Sequence, residues 1–157
     1  PALELTPRTP GPAPPRKERE GQPKATTYRG RWGKRLLEKL NAGEPVINEY
    51  PYPLQAWNIG GQRWITMGGE VVVDYSLRFK AEYGPNTWVA GYCNDVMAYI
   101  PSRRILIEDV PPRASSRWGY EGNTSMAVYG MPANRWADDV EDRVGFAVRR
   151  LMEKVGK

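Results

Sequence analysis

At 157 residues, with 40% apolar and 11% aromatic side chains, the chain is long enough for one domain with a real core and is unlike a disordered polymer. Its net charge of +5 sits in the N-terminal segment: residues 1–40 hold 10 Lys/Arg against 4 Asp/Glu, whereas residues 41–157 hold 13 against 14, so no nucleic-acid partner is expected. With no histidine and a single cysteine, Cys93, the chain excludes an intramolecular disulfide, Ser-His-Asp or Cys-His catalysis of its own, and a self-contained zinc site built on nitrogen and sulfur.

Residues 1–27 read as an extended basic linker. Seven of the 15 prolines fall within residues 1–23, beside the run Arg16-Lys17-Glu18-Arg19-Glu20. The chain opens on Pro rather than Met, with no visible signal peptide and no apolar run near the ~18 residues of a membrane span. A processed product or a piece of a longer protein is therefore expected.

Residues 28–157 form the folded part. Trp32, Leu36, Leu37 and Leu40 recur at helical spacing over residues 31–41, with Gly43 and Pro45 as stops. Residues 54–60 and 62–67 read as two strands joined in a hairpin at Gly60-Gly61. Gly68-Gly69 breaks the second strand. Residues 70–83 read as a helix, because Val72, Tyr75 and Phe79 share one face and Val73 and Leu77 another, and Gly84-Pro85-Asn86 ends it. Residues 87–93 read as a strand apolar enough for a sheet interior. From Pro101 to Gly119 a long excursion is expected, of the kind that serves as a lid or binding loop. A final helix over residues 136–155 carries the stripe Trp136, Val140, Val144, Val148, Leu151 and Val155. Acidic Asp138, Asp139, Glu141 and Asp142 open it and basic Arg149, Arg150 and Lys154 close it, matching the helix dipole. The fold class is mixed α/β (α+β): a β-hairpin, helix and strand unit plus a long C-terminal helix, as a fragment of a larger catalytic domain.

Three segments hold candidate chemistry. Glu70 follows two glycines at a turn, where a carboxylate either stabilises a helix N-terminus or is presented to a cleft at the carboxyl end of the sheet. Tyr99 lies just beyond a strand end, where a tyrosine packs, hydrogen-bonds at the surface, or binds a cation strong enough to strip its phenolic proton. Asn94 reads as a turn former. Tyr120-Glu121-Gly122-Asn123-Thr124-Ser125 is a polar turn whose tyrosine hydroxyl suits donation to an oxyanion.

The blocks Tyr50-Pro51-Tyr52-Pro53-Leu54-Gln55-Ala56-Trp57, Gly68-Gly69-Glu70-Val71-Val72-Val73-Asp74-Tyr75, Val89-Ala90-Gly91-Tyr92-Cys93-Asn94-Asp95-Val96-Met97-Ala98-Tyr99-Ile100-Pro101-Ser102 and Gly119-Tyr120-Glu121-Gly122 come in that order. As an ordered set they resemble the neutral/alkaline non-lysosomal ceramidase family, most of all its short bacterial members, over roughly residues 30–145. The resemblance covers the C-terminal part of that family's catalytic domain. In the family a zinc ion held by two histidines, a glutamate and a tyrosine hydrolyses the amide bond of N-acylsphingosine (ceramide) into fatty acid and amine.

The resemblance implies that Glu70 and Tyr99 are zinc ligands and that Tyr120 polarises the substrate carbonyl, with Asn94 and Gly122 at the substrate. It also implies that the histidine ligands come from the remainder of the catalytic domain upstream, so that this chain alone is inactive. A ceramide or related N-acyl lipid substrate, a peripheral contact with membrane, and an extracellular or periplasmic location follow from the same resemblance. The chain departs from the family pattern at Gly69 and Asp95, and in a longer stretch between Tyr99 and Tyr120 that lacks a Thr-Thr-x-Glu-Glu-Tyr run. The alternative reading is a non-catalytic lipid- or anion-binding module that uses the Trp/Tyr-rich surface and the basic arm.

Overall fold

A computed structural model describes residues 3–5, 28–46, 49–108, 119–133 and 135–156. Strand β1 (Leu3–Leu5) pairs antiparallel with β2 (Tyr50–Tyr52), so the first part of the expected linker is a strand; the backbone groups of β2 give it a partner. The rest of the linker, residues 6–27, lies outside the described residues. Helix α1 spans Tyr28–Asn41, three residues longer at its start than the spacing of its apolar residues predicts.

Strands β3 (Leu54–Ile59) and β4 (Gln62–Met67) form the expected hairpin. Its two turn residues, Gly60 and Gly61, sit at φ +59° and +89°, the left-handed pair that a two-residue hairpin turn of matching twist demands. Strand β6 (Trp88–Ala90) adds parallel to β4, and helix α2 (Val73–Tyr83) makes the crossover. A separate two-stranded parallel sheet joins β5 (Glu70–Val71) to β7 (Tyr99–Ile100). Helices α3 (Arg103–Glu108), α4 (Ser125–Tyr129) and α5 (Val140–Val155) complete the mixed α/β fold, with a single π-helical turn over Tyr120–Thr124 leading into α4.

The expected helix from residue 70 begins at Val73 instead. Glu70 and Val71 are strand because the peptide groups opposite them, on Ala98 and Ile100, accept from Glu70 and Val72, and Val72 stays extended at φ −71°, ψ 154°. The strand expected over residues 87–93 is only Trp88–Ala90, since Tyr92 and Asn94 both adopt positive φ and turn the chain away. Tyr99 lies within a strand, not beyond one. The excursion after Pro101 opens with α3, held down by buried Ile105 and Leu106; residues 109–118 lie outside the described residues. Helix α5 starts at Val140, because the Trp136 indole is committed to Tyr99, whose backbone oxygen it reaches at 2.7 Å.

One face of the β3-β4-β6 sheet carries Leu54, Ala56, Ile65, Met67 and Val89, which join α2 (Tyr75, Phe79) and α5 (Val144, Val148, Met152) in one core. Fully burying each large apolar side chain there stabilises the fold by about 1.5–3 kcal/mol. The opposite face carries Trp57, Trp64 and Trp88 side by side in register, and Trp57 and Trp88 are about half exposed. Buried phenols fasten the loops around this core. Tyr52 donates to the Gly68 carbonyl at 2.8 Å and Tyr75 to the Pro101 carbonyl at 3.0 Å.

Gly69 sits at φ +71°, and a Cβ there would lie 2.7 Å from the Ala98 carbonyl oxygen and 2.8 Å from Ile100 Cγ1. Gly69→Ala is expected to destabilise the protein by about 1–3 kcal/mol, lowering its urea midpoint. Gly33→Ala, in α1 with nothing within 4 Å, is expected to be neutral or to stabilise by about 0.5–1 kcal/mol in the same measurement.

Candidate active site

The site is assembled by the β5–β7 pair. The Gly69 amide donates to the Asp95 carbonyl at 2.7 Å and the Glu70 amide to that of Ala98 at 2.9 Å, while the Tyr92 amide returns to the Gly69 carbonyl at 2.8 Å. Parallel register then sets Glu70 directly opposite Tyr99, so their side chains leave the sheet on the same face. Val71 and Ile100, one residue on, turn to the other face and join the core.

Four tyrosines surround the Glu70 carboxylate. Tyr92 donates to its Oε1 and Tyr129 to its Oε2, each at 2.5 Å, and the Tyr99 hydroxyl is a third hydrogen-bond partner. Tyr120, carried by the π-helical turn, donates its hydroxyl hydrogen to the Tyr99 hydroxyl oxygen. The rings pack edge-on: Tyr99 and Tyr120 centroids are 4.9 Å apart at 72°, Tyr99 and Tyr129 centroids 6.4 Å apart at 73°.

Glu70, Tyr99 and Tyr120, singled out in the sequence, thus meet. Asn94 does not join them. It lies exposed in the β6–β7 turn at φ 69°, and the cluster's hydrogen bonds run through Glu70 and the tyrosines without it. Gly122 is buried inside the turn that carries Tyr120.

The sequence reading missed Tyr92 and Tyr129 as members. Tyr92 enters the cluster through its left-handed backbone at φ 58°, a conformation that nothing in an aromatic residue's identity signals. Tyr129 closes the last turn of a five-residue helix before Gly130, a place defined by tertiary packing alone.

Electrostatically the cluster favours a charged carboxylate among neutral phenols. Partial burial pushes the Glu70 carboxyl up, but hydrogen bonds from Tyr129, Tyr92 and Tyr99 together outweigh it and hold the group below its ordinary range. The Tyr99 phenol is pushed far up by burial, then by Glu70 and Tyr120, and that of Tyr129 reaches about 12 through its bond to Glu70. Tyr99 therefore loses its proton to solvent or a base only where a strong cation beside it stabilises the phenolate.

Among the described residues no group of three His, Cys, Asp or Glu side chains could hold a metal ion. Glu70 and Tyr99 bring two oxygen-bearing side chains to one face, fewer than the four donors that a zinc site requires. Also among the described residues, no helix is long and apolar enough to cross a membrane. Comparison with family models, with curated proteins and with solved structures finds no match to this chain.

Because the folded-state carboxyl of Glu70 lies below its unfolded value of 4.5, its contribution to stability is present above that pH and disappears as pH falls through the folded value. Glu70→Gln is therefore expected to lower stability at pH 7 and to narrow the gap to wild type below pH 4.5, read by urea midpoints across pH 2–7. A constant gap over that range would remove the phenol-stabilised carboxylate from the description of the site.

Proposed function

We propose that this chain is the C-terminal portion of a zinc-dependent amide hydrolase of the ceramidase type, cleaving ceramide or a related N-acyl amide into fatty acid and amine. The observation that supports it best is the convergence of one carboxylate, Glu70, and one phenol, Tyr99, at opposed register positions, with a second phenol, Tyr120, donating into the pair. The resemblance in the sequence singled out the same three residues on independent grounds.

Glu70 and Tyr99 would hold zinc, with the other ligands contributed by polypeptide outside this chain, and bound zinc would supply Lewis acidity and an acidified water. The chain's own residues supply the rest. Tyr92 and Tyr129 each occupy one carboxylate oxygen of Glu70 and so fix its plane. The Tyr99 side chain is oriented from behind, where Trp136 Nε1 donates to its carbonyl. Tyr120 is half exposed and holds its proton toward the Tyr99 oxygen. A substrate carbonyl brought to that point would accept the same proton in a hydrogen bond that tightens as the oxygen becomes anionic.

A second reading, a non-catalytic module for lipids or anions, draws on the exposed Trp57–Trp64–Trp88 face. Zinc content and N-acylsphingosine turnover of the complete gene product separate the two. Glu70→Ala and Tyr99→Phe are expected to lose zinc and activity together, and Tyr120→Phe to keep zinc while kcat falls by a factor on the order of 10²–10³. Full activity in both ligand variants would refute the hydrolase. The 157-residue chain by itself is expected to bind zinc substoichiometrically in equilibrium dialysis, since it offers two ligands.

A further inference from the structure

A cavity of about 270 Å³ lies between α1 and the segment that follows α4, close to the Glu70 cluster but separate from it. Its α1 wall is the stripe Trp32, Arg35, Leu36 and Lys39, spaced i, i+3, i+4 and i+7 so that two apolar and two cationic side chains share one face. Val46 and Met131 stand among the residues opposite. The Trp32 indole is fixed by a 2.6 Å hydrogen bond to the Met131 carbonyl, which ties the two walls together.

The charge in this cavity is one-sided. Its described lining includes two cations and no carboxylate. Arg35 has no acidic partner among the described residues, and Lys39 meets Glu44 only at 3.9 Å, with both side chains more than half exposed, a pairing of little worth. Apolar walls with a few convergent polar groups are the usual make-up of a small-molecule site. An unpaired guanidinium at the mouth selects a carboxylate or similar oxyanion, which it grips with two parallel N–H donors. A volume of about 270 Å³ suits a short aliphatic body and not a large ring system.

We propose that this cavity binds a single-chain amphiphile, its aliphatic body between Trp32, Leu36, Val46 and Met131 and its single anionic head on Arg35 and Lys39. The site is independent of the hydrolase reading, since it uses neither Glu70 nor a metal. It nonetheless adjoins that cluster. Gly130 lines the cavity and follows Tyr129, the donor to Glu70 Oε2; Tyr50 also lines it and donates to Asp95 Oδ2 at 2.7 Å.

The test is calorimetric titration of the full chain with decanoate, below its micelle concentration and with a chelator present. Saturable binding at one site is expected, with decanol and decyltrimethylammonium at least tenfold weaker. Arg35→Glu, at an exposed position, should weaken decanoate at least tenfold and leave decanol unchanged; Lys39→Glu provides a second variant with the same expected direction. Decanol binding as tightly as decanoate would mean that the cations merely lay their stems over apolar surface, and the proposal fails. It fails equally if decanoate does not saturate or if neither charge reversal changes its affinity. Decanoate has no amide to cleave, so either result leaves the hydrolase reading to its own experiment.

Discussion

Everything at the centre of this fold depends on how closely the turn at Gly68-Gly69 lets two short strands approach. The backbone of Gly69 runs against the Ala98 carbonyl and the Ile100 side chain with no room for a Cβ. That contact allows four backbone hydrogen bonds, from Gly69, Glu70, Val72 and Tyr92, to knit residues 69–72 to residues 92–100. A two-residue strand pair is too short to persist by itself. Here it persists because Ile100 is sunk in the core with Val71 packed against it on one side, while Trp136 and Tyr75 hold the adjoining backbone carbonyls. The polar cluster on the other side inherits the rigidity of that packing.

A carboxylate hydrogen-bonded to several phenols is a weak base and a good electrostatic anchor. The phenols stabilise its charge, and its charge in turn keeps them protonated. Tyr99 belongs to both sets, accepting from Tyr120 while bound to Glu70. A divalent cation beside Glu70 would invert that balance, since the same oxygen that resists ionisation near a carboxylate ionises readily near a metal. The cluster is thus organised around negative charge at a single point, whatever cation meets it. Asp74 shows the structural counterpart of this arrangement: burial raises its carboxyl, but Arg104 and Ser102 more than compensate, and the result fastens α2 to the start of α3.

Much of the scaffold was legible in the sequence because periodicity and punctuation agreed there. The hairpin at Gly60-Gly61 and the buried side of α2, with Tyr75 and Phe79, follow from alternation, glycine pairs and helical spacing. So does the valine stripe of α5. The convergence of Glu70 with Tyr99 was legible only through their place in ordered motifs, since the pairing that opposes them spans 29 positions of chain and leaves no local mark. Helix starts were misjudged where tertiary partners overrode propensity, as at Val72 and at Trp136. Tyr92 and Tyr129 were invisible because their roles arise from a left-handed residue and from a helix terminus, neither of which residue type announces. Strand β1 was hidden in a proline-rich stretch whose composition points to an extended linker.

The tryptophan row on the outer sheet face has an optical consequence. Trp64 and Trp88 lie with ring centroids 4.7 Å apart and planes tilted by 38°, across the junction where the parallel strand joins the hairpin. Two indoles at that spacing and angle couple their electronic transitions, which gives an ellipticity couplet that neither chromophore has alone. The couplet reports on that one seam of the sheet, so a state that keeps its helices but has let the parallel strand go would be visible as its loss.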